Sequence, residues 1–200
     1  MPLSPPAERQ LEHRRAITID GYLRKDGLYD IEAELSDIKT YSFPSLHRRH
    51  VAPGEKVHHM FLRVTITQEM EIVACEAAMD LHPYSSCFLA EPNFARLAGL
   101  RIGKGFLATA ASRVGGNLGC THLRELLRQV ATTAFQTVHP TRVRLEFENQ
   151  GKPLPPGDGY DAAITKYFGG ADGVLNSCMA YAEDSPLVKH RWPDRYTGKD

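Results

Sequence analysis

The chain has 200 residues, 42% of them hydrophobic, and its 24 lysines and arginines balance its 24 aspartates and glutamates. That length suits one well-buried core, and the balanced charge gives no electrostatic case for nucleic acid as a partner. No apolar run approaches the roughly 18 residues of a membrane span, and "MPLSPPAERQLEHRR" has no apolar signal core, so a cytoplasmic protein without a membrane partner is expected.

Residues 1–12, with Pro2, Pro5 and Pro6, read as a disordered lead. An α+β core is expected over 13–150, followed by a loop-rich extension over 151–200 that packs on it. Extended patterning begins at Ala16: "AITIDGYLR" and "LYDIEAELSDIKTY" flank Lys25-Asp26-Gly27, and Asp-Gly between two such runs predicts a hairpin. Tyr29, Ile31, Ala33 and Leu35 alternate with polar residues, giving one dry face and one wet face. Asp26, Asp30 and Asp37, with Arg24 and Lys39, read as part of a solvated face.

"SFPSLHRRHVAPGEK" reads as a loop carrying a basic cluster from His47 to His50. A second hairpin follows. In "VHHMFLRVTI", His58, Met60, Leu62, Val64 and Ile66 share the core face and His59, Phe61, Arg63 and Thr65 the other; "EIVACEAAMD" returns after a turn near Thr67–Glu69. His58 therefore ends a core-facing row, an uncommon place for an idle histidine.

"LHPYSSC" breaks that strand. A helical region is predicted from Asn93 to Leu100, opened by Pro92, and a second short helix in "GKGFLATAASRVGG", ended by Gly115-Gly116. The long amphipathic helix is the clearest element: Leu123, Leu126, Leu127, Val130, Ala131, Ala134, Phe135 and Val138 fall on one stripe, which His139-Pro140 is expected to close. "TRVRLEFEN" reads as a final strand and "YDAAITKYF" as a short helix. No internal repeat or low-complexity tract is present.

Candidate chemistry gathers in "GGNLGCTHLRE", where a glycine-rich turn feeds the long helix and leaves Cys120 and His122 in its first turn. Unpaired backbone N–H groups and the positive end of the helix dipole favour a thiolate there, the form that binds metal or attacks. The plainer alternative is a small buried cysteine and a capping histidine. If the helix packs on the sheet, Cys87 in the loop after the second hairpin and His58 at that hairpin's start converge on the pair. Two thiolates and two imidazoles make a tetrahedral set suited to zinc, and open to ferrous iron or an iron–sulfur cluster.

His59 ranks second as a ligand because alternation puts it on the opposite face. Cys75 reads as core, Cys178 as core or a distant fifth ligand, and Tyr84 as a second donor or packing. "GLRIGKG" lacks the spacing of a phosphate loop. Arg48, Arg49 and Lys56 are too few to name an anionic ligand.

"GYLRKDGLYDIEAELSDIKTY", "HHMFLRVTI", "PYSSC" and "GGNLGCTHLRELL", in that order, resemble the bacterial domain-of-unknown-function family 2889 over nearly the whole chain. Membership would imply no activity, since the family has none established. In the family pattern an acidic residue follows the histidine, where this chain has His59. There is also a fainter similarity to U-type iron–sulfur scaffold proteins, which order a strand-start ligand, a loop cysteine and a late helix-start pair as His58, Cys87 and Cys120 with His122 are ordered here. That resemblance would imply a scaffold-like fold; it departs in the histidine that replaces the first cysteine and in Thr121 between the late pair.

The expectation is thus a single α+β domain, an antiparallel sheet of two hairpins covered by helices, with zinc or iron held by His58, Cys87, Cys120 and His122. Its role would be structural or accessory, serving a protein partner. A metalloenzyme acting on a small organic substrate, a thiol enzyme with Cys120 as nucleophile and His122 as base, and an interaction subunit without chemistry stand as alternatives.

Overall fold

The computed structural model describes residues 3–46 and 48–199; Met1 and Pro2 of the proline-rich lead, His47 of the basic cluster, and Asp200 lie outside the described residues. The fold is α+β, in two compact units, one ending at Val138 and the other beginning at His139.

In the first unit, β1 (His13–Leu23), β2 (Tyr29–Lys39), β5 (Lys56–Ile66) and β6 (Ile72–Leu81) form an antiparallel sheet in the order β1-β2-β5-β6. Both expected hairpins are present. Period-2 alternation sends Tyr29, Ile31, Ala33 and Leu35 of β2, and Met60, Leu62, Val64 and Ile66 of β5, to one face, each at most 3% exposed. Each large aliphatic side chain so buried contributes about 1.5–3 kcal/mol.

The cover on that face comes from α1 (Phe106–Val114) and from α2 (Thr121–Asn149), whose Leu123, Leu126, Leu127, Val130, Ala134 and Val138 join the same core. The helix stripe and the two strand rows are therefore complementary apolar surfaces. Gly21 of β1 permits the approach of α2, because a Cβ there would fall 1.9 Å from Thr137 Oγ1.

Three local expectations are corrected. The basic loop contains a small ribbon, β3 (Phe43–Ser45) paired with β4 (Arg49–Val51), anchored by the buried Val51. The helical stretch predicted at Asn93–Leu100 is a 3-10 segment over Cys87–Leu97, with Pro92 inside it. Finally, α2 does not stop at His139-Pro140, and "TRVRLEFEN" is its last part rather than a strand. A proline removes only one backbone donor, whereas this stretch has good helix formers and a four-residue Arg144–Glu148 pair at 2.8 Å.

The second unit holds the end of α2 with α3 (Asp158–Thr165), α4 (Ala171–Val174) and α5 (Pro186–Arg191). Glu146 accepts hydrogen bonds from Lys166 Nζ (2.7 Å) and Tyr167 Oη (2.8 Å). Ser185 caps α5 by accepting from the Val188 N–H, with Pro186 in the first helical turn. Among the described residues no helix is long and apolar enough to cross a membrane.

Candidate functional site

The core-facing rows change character at one end of the sheet. Strand register places Arg15 of β1 opposite Asp37 of β2, and Asp37 opposite His58 of β5. The same alternation that buries Leu35 turns Asp37 inward two residues later. A β-bulge interrupts the β2–β5 register just beyond, between Asp37 and Ile38.

Asp37 is the hub of this end and corrects its assignment to the solvated face: it is 3% exposed. Arg15 grips it through two parallel bonds, Nε to Oδ1 and Nη2 to Oδ2, both 2.8 Å. His13 Nε2 lies 2.9 Å from Oδ1, and His58 Nδ1 lies 2.9 Å from Oδ2. Burial alone would raise this carboxyl, but the hydrogen bonds of Arg15 and His13 and the charge of Arg15 outweigh it and hold the pKa at about 2. Because Asp37 is ionised, His58 must donate from Nδ1, which leaves Nε2 as its lone-pair nitrogen.

His122 arrives from the start of α2. Its ring lies 4.0 Å from that of His58, centroid to centroid, with the planes inclined at 35°. Burial lowers the pKa of both imidazoles; at His58 the charge of His122 adds to this, and at His122 the charge of Arg15 does. Both are therefore neutral near pH 7 and keep a lone pair. Asp37, His58 and His122 each offer a donor atom, and these atoms lie within 4.8 Å of one another. Arg15 also reaches Glu125, the fifth residue of α2, at 3.2 Å.

The turn before α2 is built by close backbone contact. A Cβ on Gly119 would fall 1.9 Å from the Val114 carbonyl oxygen at the end of α1, and one on Gly115 would fall 2.2 Å from that of Ala111. Asn93 Nδ2 donates to the Leu118 carbonyl (2.9 Å) and steadies the same turn. Cys120 follows directly; its carbonyl accepts the Arg124 N–H at 2.9 Å, so it is the N-cap residue of the long helix. Its Sγ lies 3.9 Å from His122 Nδ1.

His58, Cys87, Cys120 and His122 all line one pocket of about 480 Å³. Sulfur and nitrogen ligands of a tetrahedral ion sit about 3.5 Å apart, given ~2.3 Å and ~2.0 Å metal bonds. The Cys120–His122 separation is a few tenths of an ångström beyond that.

The remaining candidates fall elsewhere. His59 lies on the other face, 2.7 Å from Glu34 and 2.8 Å from Lys56 Nζ. Cys75 is buried in the core, and burial pushes its thiol up to about 12, which leaves it inert. Cys178 is exposed in the second unit. Tyr84 lines the pocket yet is 60% exposed. Gly99 and Ile102 of "GLRIGKG" bond to the backbone of Ile72 and Met70, which makes that stretch a companion to the start of β6.

Sequence reasoning missed Asp37, Arg15 and His13. The available signal was parity: Asp37 continues the odd-numbered row Tyr29, Ile31, Ala33, Leu35, and Arg15 continues the row of Ile17 and Ile19.

Fold and site together define an α+β protein with an Asp–His cluster, built on a buried aspartate, at the junction of a sheet end and a helix N-terminus. Residues 13–136 match the family described as "Protein of unknown function (DUF2889)", and the chain belongs to that family. No curated protein and no solved structure matches it, and the similarity to iron–sulfur scaffolds finds no support.

Proposed function

We propose that the protein binds one zinc or iron ion through His58, Cys87, Cys120 and His122, with Asp37 and Arg15 fixing the orientation of His58. The observation that carries this reading is convergence: His58 from the start of β5, Cys87 from the start of the 3-10 segment, and Cys120 with His122 from the start of α2 line one pocket. Two thiolates would neutralise a divalent ion while two neutral imidazoles complete it. The Asp37–His58 bond supports the reading, since metal-bound histidines commonly donate their other N–H to a carboxylate. Asp37 itself is a poor direct ligand because Arg15, His13 and His58 already occupy both its oxygens. Four unpaired cysteines fit a reducing, cytoplasmic setting in which thiols stay available to metal.

The test is elemental analysis of untagged protein purified without added metal or chelator, beside Cys120→Ser and His122→Ala. Near one equivalent of zinc or iron in the parent and its loss in both variants is expected. A metal-free parent under both aerobic and anaerobic handling would remove the reading.

One observation favours a second reading. Cys120 caps a long helix and lies 3.9 Å from His122, the arrangement of a thiol nucleophile with its base. In that case Cys120 would alkylate rapidly near neutral pH, and chelators would not change the rate.

A further inference from the structure

We propose that β1 is a docking edge for a second copy of this chain, the two β1 strands pairing antiparallel so that one sheet runs through both copies. The inference rests on the sheet edge alone and is independent of the metal reading.

The two edges of the sheet are finished differently. At β6 the Ile72 N–H donates to the Leu100 carbonyl and the Ile72 carbonyl accepts from the Gly99 N–H, both at 2.8 Å, and the Met79 N–H donates to Glu91 at 2.6 Å. The register of β6 with β5 also shifts near both ends. That edge is closed. By contrast, β1 pairs with β2 from His13 to Leu23 without a register shift, contains no proline, and among the described residues has β2 as its one strand neighbour. A long, regular edge leaves a row of backbone N–H and C=O groups that templates another strand, and sheets that stay single usually cover, bulge or shorten it.

The sequence of β1 complements itself. A two-fold axis at Thr18 sets Thr18 against Thr18, Ile17 against Ile19, and Arg14 against Tyr22 of the second copy. Each is a favourable cross-strand pair, the last through the cation and the aromatic face. Arg15 then faces Gly21 and keeps its place on Asp37. Moving the axis to Ile17 or Ile19 preserves the faces but sets Arg15 against Ile19 or Leu23, an ion against an apolar side chain.

Charge points to the same pairing. Asp20 stands directly opposite Glu32 in the β1–β2 register, and like charges so placed repel. Arg63 answers Glu32 at 2.6 Å. Arg14 lies on the same face of β1 as Asp20 but roughly 20 Å along the strand, too far to answer it within one copy. Across the axis, the second copy's Arg14 becomes the diagonal neighbour of Asp20, within reach of a long side chain. Two-fold symmetry makes that contact twice.

The test is sedimentation equilibrium of the full chain beside Arg14→Glu, Asp20→Arg and the variant carrying both, with circular dichroism to confirm each fold. Both positions are exposed, so the fold should survive. The parent should be a dimer at roughly 100 µM. Each single substitution sets like charges together at both contacts and should weaken association at least about tenfold, and the double variant, with opposite charges restored, should return to within about threefold of the parent. A monomeric parent, a dimer that neither single substitution weakens, or a double variant as weak as the singles would overturn the proposal.

Discussion

His58 and His59 are neighbours on β5, yet the sheet sends them to opposite faces and so to different chemistry. His58 meets a carboxylate that is 3% exposed, a second imidazole and a pocket lined by two thiols. His59 meets Glu34 and Lys56, whose side chains are 46% and 38% exposed, in an open charged cluster. On the first face the Asp37 carboxylate has lost most of its water and depends on its partners; on the second, solvent reaches Glu34 and Lys56 and can replace a partner that is removed. The two imidazoles are themselves about equally buried, at 13% and 17% side-chain exposure, so the contrast shows that the neighbours each face supplies decide which of them is positioned to do chemistry.

Metal content should break the comparison most sharply. His58→Ala is expected to lower bound zinc or iron from near one equivalent to below about a tenth, whereas His59→Ala should leave it within error of the parent. Elemental analysis of the two proteins side by side decides this, and equal losses would erase the distinction between the faces.

Stability should separate the two carboxylates next. Asp37→Ala removes the acceptor of Arg15, His13 and His58 at a position that is 3% exposed and should cost about 3 kcal/mol in urea unfolding. Glu34→Ala removes a carboxylate that is itself 46% exposed and whose place solvent can take, and should cost less than about 0.5 kcal/mol.

Acid gives a smaller effect of the same origin. The Asp37 carboxyl is held at about 2, below its unfolded value of ~3.9, so its stabilisation is fully present above the unfolded value and is lost as pH falls through about 2. Between pH 5 and pH 2 this should remove about 2 kcal/mol, and Asp37→Asn should flatten that part of the profile. Unfolding free energies at stepped pH give the slope directly.

The sequence made much of this legible. Alternation in "VHHMFLRVTI" was enough to send His58 inward and His59 outward, and the stripe from Leu123 to Val138 was enough to define the packed part of α2. The glycines before Cys120 announced a tight turn, and the backbone contacts at Gly115 and Gly119 give the reason. Asp37 was hidden by its charge: among Asp26, Asp30 and Lys39 it looks solvated, and only its parity with Leu35 reveals that it faces inward. The partnership of Asp37 with Arg15 depends on the register of one hairpin and that with His58 on the pairing of two, which residue types alone do not supply. The end of α2 was misread because Pro140 looks like a stop, although the residues after it pair at helical spacing.

X-ray absorption at the zinc or iron edge of the purified protein tests the central claim most directly. The account predicts a mixed shell of two sulfurs at about 2.3 Å and two imidazole nitrogens at about 2.0–2.1 Å, with the sulfur contribution reduced in Cys120→Ser. A shell of oxygen and nitrogen alone, or a sample without either ion, would contradict it.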